Sequence, residues 1–219
     1  MTLADPPPAP GRSRRNRGSE LVRARLIEAG IQEFADRGFD GASTRAIAET
    51  ADAQQSQITY HFGTKDDLWR ACVDQMVGES QLPIEDALRQ AEVDGDLRGA
   101  FVSAIHRLVE FAAMRPELHR IISHEVSADS ARSRWIAETH SEPRRRLLID
   151  TWQRLVDAGV ARPIDRDALY HLLLGSVVLL HVHRPEARVL GIDVDDPSLV
   201  RRHADAVVTL FLGPEPADS

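Results

Sequence analysis

An all-α chain is predicted, because apolar residues recur at three- and four-residue spacing almost throughout and no segment shows convincing strand alternation. Glycine, proline and short polar residues also fall where helices should start and stop. The 219 residues suffice for one large domain or for a small one joined to a larger one, with a substantial buried core. The single cysteine, Cys72, excludes an intramolecular disulfide, and no secretory h-region is recognisable, so a cytoplasmic location is expected. The longest near-continuous apolar stretch, 168–180, contains His171 and falls short of the roughly 20 residues of a membrane span. No membrane partner is expected.

The elements follow in order. Ala24, Ile27, Ile31 and Phe34 share one face of a first helix, which Gly38 ends within Arg37-Gly38-Phe39. Ser43 or Thr44 caps a short second helix carrying Ile47 and Ala48. Ala51-Asp52-Ala53 is the turn into a third helix, which runs through Ile58 and Phe62 to Gly63. Thr64 opens the next helix, with Asp67 as its capping-box partner and Asp66 facing the positive helix end. Leu68, Cys72, Val73 and Met76 of that helix point inward. Beyond Pro83, the residues Phe101, Ile105, Leu108 and Ala112 form a further stripe, which Pro116 separates from a helix over 118–126. A long segment over 135–156 is expected to break near Pro143. Pro163 and Asp165 introduce a helix over 169–180, and Pro197 opens a last one holding Ala204, Val207, Val208 and Phe211. No internal repeat is found.

Net charge of −7 argues against an anionic partner until its distribution is read. Residues 1–65 hold nine basic and eight acidic side chains, so the excess negative charge lies in the remainder. Arg12, Arg14, Arg15 and Arg17 cluster without an intervening acid after a proline-rich start, which reads as a flexible basic arm. Over 43–62, Ile47, Ala48, Ile58 and Phe62 can join two helices, while Gln54, Gln55, Ser56, Gln57, Thr59, Tyr60 and His61 are left exposed. That is the division of labour of a helix-turn-helix, and no acid lies between Gln54 and Lys65 to repel phosphate.

The segment 21–73 closely resembles the tetracycline-repressor (TetR) family. The pieces that carry the resemblance are Arg37-Gly38-Phe39, Ser43-Thr44-Arg45-Ala46-Ile47-Ala48, Ile58-Thr59-Tyr60-His61-Phe62 and Gly63-Thr64-Lys65. The resemblance implies that Thr44, Tyr60, His61 and Lys65, the only lysine, contact phosphate. It places Arg45 and Gln55 where bases are read, and their chemistry suits guanine and adenine respectively. Gln57 and Thr59 are secondary candidates, with Gln54 and Ser56 on the same face. Two positions depart from the family pattern: Asp52 stands where the turn usually has glycine, and Gln54, a poor cap, where serine is frequent. An aspartate tolerates a left-handed backbone, so the turn is expected to survive.

The resemblance further implies a helical body that binds an effector and dimerises through its last two helices. The expected division is a disordered basic arm (1–18), a helix-turn-helix domain (19–64), a ligand-binding and dimerisation domain (65–213) and a tail (214–219). Leu169, Leu172, Leu173, Val177 and Leu180, with Val207, Val208 and Phe211, supply apolar surface for a dimer, or else for the subunit's own core. Met76, Phe101, Ile105, His124, Trp152 and His181 are the candidate pocket walls. The nine histidines raise a metal reading, but His181 and His183 diverge on a helix and His119 and His124 align imperfectly, so no metal or cofactor is assigned. No His-Glu-x-x-His pattern, nucleophile elbow or phosphate-binding glycine loop supports an enzyme. The expected function is a homodimeric DNA-binding repressor, released from a palindromic operator by an unidentified small effector. The alternatives are a regulator whose body binds a protein partner instead, and a His-dependent metal enzyme.

Overall fold

The computed structural model describes residues 10–126 and 129–213, with side chains over 17–81, 95–126 and 129–213. Among the described residues every regular element is helical. The chain divides into two compact units, Met1–Asp74 and Gln75–Ser219. Among the described residues, no helix is long and apolar enough to cross a membrane. The expected tail over 214–219 lies outside the described residues.

The first unit is built from α1 (Pro10–Gly41), α2 (Thr44–Thr50), α3 (Ser56–Phe62) and the start of α4 (Lys65–Asp94). Residues 1–9 of the expected basic arm lie outside the described residues, and from Pro10 the backbone is helical. Proline fits the first turn of a helix and arginine is a good helix former, so the local sequence does not oppose it. Gly38 takes φ 66° and ψ 177°, a break inside α1 that residues with a β-carbon resist. The break turns Phe39 back, where its ring stacks on Phe34 at 6.1 Å and meets Trp69 edge-on at 6.4 Å.

Close approach of α1 and α4 depends on Gly30, where a β-carbon would lie 2.9 Å from Cys72 Sγ. Cys72 is buried, its thiol donates to Ile27 O at 3.4 Å, and burial pushes its pKa up, so it serves packing rather than nucleophilic chemistry. Ser43 caps α2, its hydroxyl accepting from Ala46 N–H. Asp52 does adopt the left-handed backbone, with φ 48°. Arg25 steadies it, donating to Asp52 O at 3.4 Å and lying 3.7 Å from its carboxylate. Gly63, at φ 83°, ends α3. The predicted capping box of α4 forms: Asp67 N–H donates to Thr64 Oγ1 at 3.1 Å and Thr64 N–H to Asp67 Oδ2 at 3.2 Å.

The second unit continues from α4 through α5 (Leu97–Met114), α6 (Glu117–Val126), α7 (Ala131–Ile136), a π turn (Ala137–Ser141), α8 (Glu142–Asp157), α9 (Arg166–Val182), α10 (Arg184–Val189) and α11 (Leu199–Leu212). The expected break near Pro143 is the π turn. A proline ring collides with the carbonyl four residues back in a regular helix, and the wider turn just before Pro143 accommodates it. The six-residue α10 has no counterpart in the sequence reading, being too short to show a period. α5 packs against α9 and α11. Trp152 joins them, its ring 5.5 Å from Phe101 and 5.8 Å from Phe211, above a core that includes Ile105, Val109, Leu155, Leu169 and Leu173.

Loss of the α4 cap should be measurable. Thr64→Ala is expected to lower stability by about 1 kcal/mol in urea unfolding, the usual cost of deleting a hydroxyl cap. Unchanged stability would mean the capping box contributes nothing in solution.

Candidate nucleic-acid interface and an interior cavity

α2 and α3 pack through Ile47, Ala48 and Ile58, which are buried, and this leaves one polar edge outward. α3 begins at Ser56, so Gln54 and Gln55 lie in the approach to the helix, a correction to the expectation that they sit on it. Their carbonyls accept from Gln57 N–H at 2.9 Å and Ile58 N–H at 3.1 Å, and no side chain caps this helix. Gln55 Nε2 donates to Thr44 Oγ1 at 3.1 Å, tying the entry of α3 to the first residue of α2. Gln54, Gln55, Ser56, Thr59 and Tyr60 are exposed, Tyr60 by 76%, whereas Thr44, Gln57, His61 and Lys65 are half-buried.

Charge along this edge is mostly committed. Arg45 is exposed and bonds Glu49 at 2.9 Å across one helical turn. Lys65 holds its ammonium 4.8 Å above the Phe39 ring. Arg23 lies 5.2 Å over Phe62. Burial, then the nearby Arg23 charge, lowers the pKa of His61, which stays neutral at pH 7 with its buried Nε2 lacking a partner among the described residues. The amino end of α4 is filled by its own capping box, so anion attraction beside Lys65 rests more on its ammonium than on free amides.

Inside the second unit a cavity of about 120 Å³ lies between α5, α8 and α9. Phe101, Ile105, Leu108, Leu147, Leu148 and Leu173 form its apolar walls; Arg144, Thr151 and Gln81 are its polar ones. A second cavity of about 70 Å³ shares Leu108, Arg144, Leu148, Leu173 and Leu174 with it and reaches His119 and Tyr170. His119 has its pKa pushed down to about 4 by burial and then by the Arg144 guanidinium.

Residues 26–72, which take in this whole helix-turn-helix, match the bacterial regulatory proteins of the tetR family. This segment carries a TetR-type DNA-binding domain. Among curated relatives of this chain, the transcriptional regulatory protein RaaS of Mycobacterium tuberculosis is 43% identical over 64 residues, 29% of this chain and 30% of that one. The transcriptional repressor KstR2 of Mycolicibacterium smegmatis is 25% identical over 69% of this chain and 73% of its own length. The transcriptional dual regulator CecR of Shigella flexneri is 29% identical over 73% and 75%. The chain thus spans under a third of RaaS and about three quarters of the other two. The fold matches solved structures more fully. AibR, in complex with isovaleryl coenzyme A and operator DNA, superposes with a TM-score of 0.71 at 15% identity, covering 88% of this chain and 99% of AibR. A mutant of HlyIIR gives 0.69 at 18% identity over 89% and 99%.

Of the six pocket candidates, Phe101 and Ile105 line the larger cavity. Met76 and Trp152 are buried but do not line either cavity. His124 is exposed, which corrects its placement as an interior wall. His181 is buried and its Nε2 lies 3.0 Å from His203 Nδ1, whose ring in turn donates from Nε2 to Ser176 O at 2.8 Å. That hydrogen-bonded pair satisfies His181 inside the core. Leu169, Leu173, Val177, Val207 and Phe211 are buried within the chain itself, which leaves Leu172, Leu179 and Leu210 as the exposed large apolar residues of α9 and α11.

Arg144 is the charged one among the cavity residues that the pocket candidates did not include. The signal was present in Arg144-Arg145-Arg146, a run with Glu142 as its near acid. Glu142 bonds Arg145 and Arg146, each at 2.7 Å, and at 100° per residue a third arginine has to face another way.

The neutral imidazoles predict an acid-sensitive fold. Burial, then His203 and Arg184, push the His181 pKa down to about 4, and His119 behaves alike. Both titrate near 6.5 when unfolded, so the unfolded chain takes up protons first as pH falls. The urea midpoint should therefore decline between pH 6.5 and about 4, and His119→Gln should reduce that slope. An unaltered slope would show that His119 titrates normally in the folded protein.

Proposed function

We propose that this chain is a dimeric repressor that binds a near-palindromic operator through α2 and α3, and releases it when a small molecule occupies the second unit. The observation that carries the reading is the exposed edge from Gln54 to Tyr60, free of acidic side chains and anchored to Thr44 at its start. Gln55 and Arg45 read bases, whereas Thr44, Tyr60, His61 and Lys65 position the duplex through its phosphates. Arg45 must exchange Glu49 for guanine, a trade between one charge-assisted contact and another.

Dimerisation is supported by Leu172 and Leu179, seven residues apart on α9 and 52% and 54% exposed, and by Leu210 on α11, 71% exposed. Two copies then offer two recognition helices to successive major grooves, about 34 to 36 Å apart on one face of the duplex. An effector acts by binding better to the arrangement that does not match that spacing. The concave, mainly apolar cavity favours a small ligand over a protein partner for the second unit. A cytoplasmic location accords with this role.

Binding to a fragment upstream of its own gene should weaken steeply with salt. Gln55→Ala is expected to cost about 1 to 3 kcal/mol on that fragment and little on scrambled DNA. Lys65→Met, which keeps the aliphatic stem over Phe39, is expected to weaken both alike and to reduce the salt slope by about 1. Equal affinity of the wild type for promoter and scrambled duplex at moderate salt would overturn the reading. Leu179→Arg should yield monomers in sedimentation; a persisting dimer would place the interface elsewhere.

A further inference from the structure

Among the described residues that line it, the cavity of the second unit has apolar walls and one formal charge. Arg144 donates from Nε to His140 O at 2.9 Å, which orients the guanidinium. Among the described residues no aspartate or glutamate lines either cavity, and Glu142, the near acid on its own helix, is held by Arg145 and Arg146. Among the described residues Arg144 has no ion-pair partner. The other polar walls are uncharged: Thr151 and Gln81 in the larger cavity, Ser80, Tyr170 and His119 in the smaller, with His119 kept neutral by burial and by Arg144 itself. A half-buried cation against leucine and phenylalanine is costly to keep without an anion, and an arginine cannot shed its proton to escape that cost.

We propose that the effector is a small apolar monocarboxylate, with its carboxylate on the Arg144 guanidinium and its hydrocarbon body among Phe101, Ile105, Leu108, Leu147 and Leu173. The inference deepens the ligand-responsive reading above and rests on it. The planar guanidinium matches a carboxylate with two parallel N–H···O bonds, which sets the charge and geometry of the recognised end. One guanidinium neutralises one negative charge; a doubly charged phosphate would leave a surplus against apolar walls. Size follows from volume. A cavity of about 120 Å³ is slightly smaller than the roughly 150 Å³ engineered cavity that accepts benzene, so the apolar body holds about six carbons. Hexanoate and benzoate are therefore the natural probes, and the adjoining cavity of about 70 Å³ leaves room at the Arg144 end.

Calorimetry on the full-length wild type with hexanoate, benzoate, hexanamide, benzamide and hexanoyl-coenzyme A tests the proposal. Each acid should bind at least tenfold more tightly than its amide, because amide and acid share shape but not charge. In Arg144→Met the acid and amide affinities should come within twofold of each other, while operator binding without ligand persists. Ala104→Leu, which fills the cavity without touching the charge, should weaken acid and amide alike by at least tenfold. Equal binding of acid and amide by the wild type overturns the proposal, and that comparison needs no variant to fold. So does an acid preference that survives in Arg144→Met, a coenzyme A thioester bound tenfold more tightly than the free acid, or no acid binding at millimolar concentration. Operator binding measured without ligand reports separately on the DNA-binding reading, so either reading can fail alone.

Discussion

Between residues 38 and 63 the backbone has to pass through the left-handed region three times, at Gly38, Asp52 and Gly63. These turns decide where α2 and α3 lie. Gly38 returns Phe39 to the aromatic contacts with Phe34 and Trp69; Asp52 turns α2 into the approach to α3; Gly63 ends α3 before the capping box of α4. Two of the three positions hold the residue that adopts such angles at least cost. The third holds aspartate, and Arg25 supplies both a hydrogen bond to its carbonyl and an opposite charge beside its carboxylate. The polar edge of the helix-turn-helix is a consequence of these turns, because they leave Ile47 and Ile58 facing inward and the glutamines outward.

Charge is handled differently in the two units. Around the helix-turn-helix the cations sit at the surface, on partners that a phosphate or base can replace: Arg45 on Glu49, and Lys65 on an aromatic face. In the second unit burial dominates. His119, His181 and His203 all have depressed pKa values with desolvation as the first cause, and the last two are hydrogen-bonded to each other. Arg144 cannot follow them, since burial lowers its pKa without bringing it near neutrality. The same desolvation that silences the histidines thus leaves one charge in the cavity wall.

Sequence legibility follows the range of the forces involved. Helix starts and stops were readable because caps and left-handed turns are decided by a few neighbouring residues: Ser43 on Ala46, Thr64 with Asp67, Gly38 and Gly63. The start of α3 was misplaced since neither Gln54 nor Gln55 provides a cap, and its position depends on Gln55 reaching Thr44 on another helix. Four of the six pocket candidates missed the cavity. A period of 3.6 tells which side of a helix is inward, but not whether the inward side meets a neighbouring ring, as Trp152 meets Phe101, or an empty volume.

By itself, the order of residues determined the all-α class, the helix-turn-helix and the segregation of charge along the chain, because each depends on periodicity, capping or composition within a short span. Tertiary structure alone decided that His181 is matched by His203, that Leu172 and Leu179 stay exposed while Leu173 and Val177 do not, and that Arg144 faces a cavity. Those outcomes depend on which helix lies opposite, and the opposing residues are far apart in sequence, as His181 and His203 are by 22 residues.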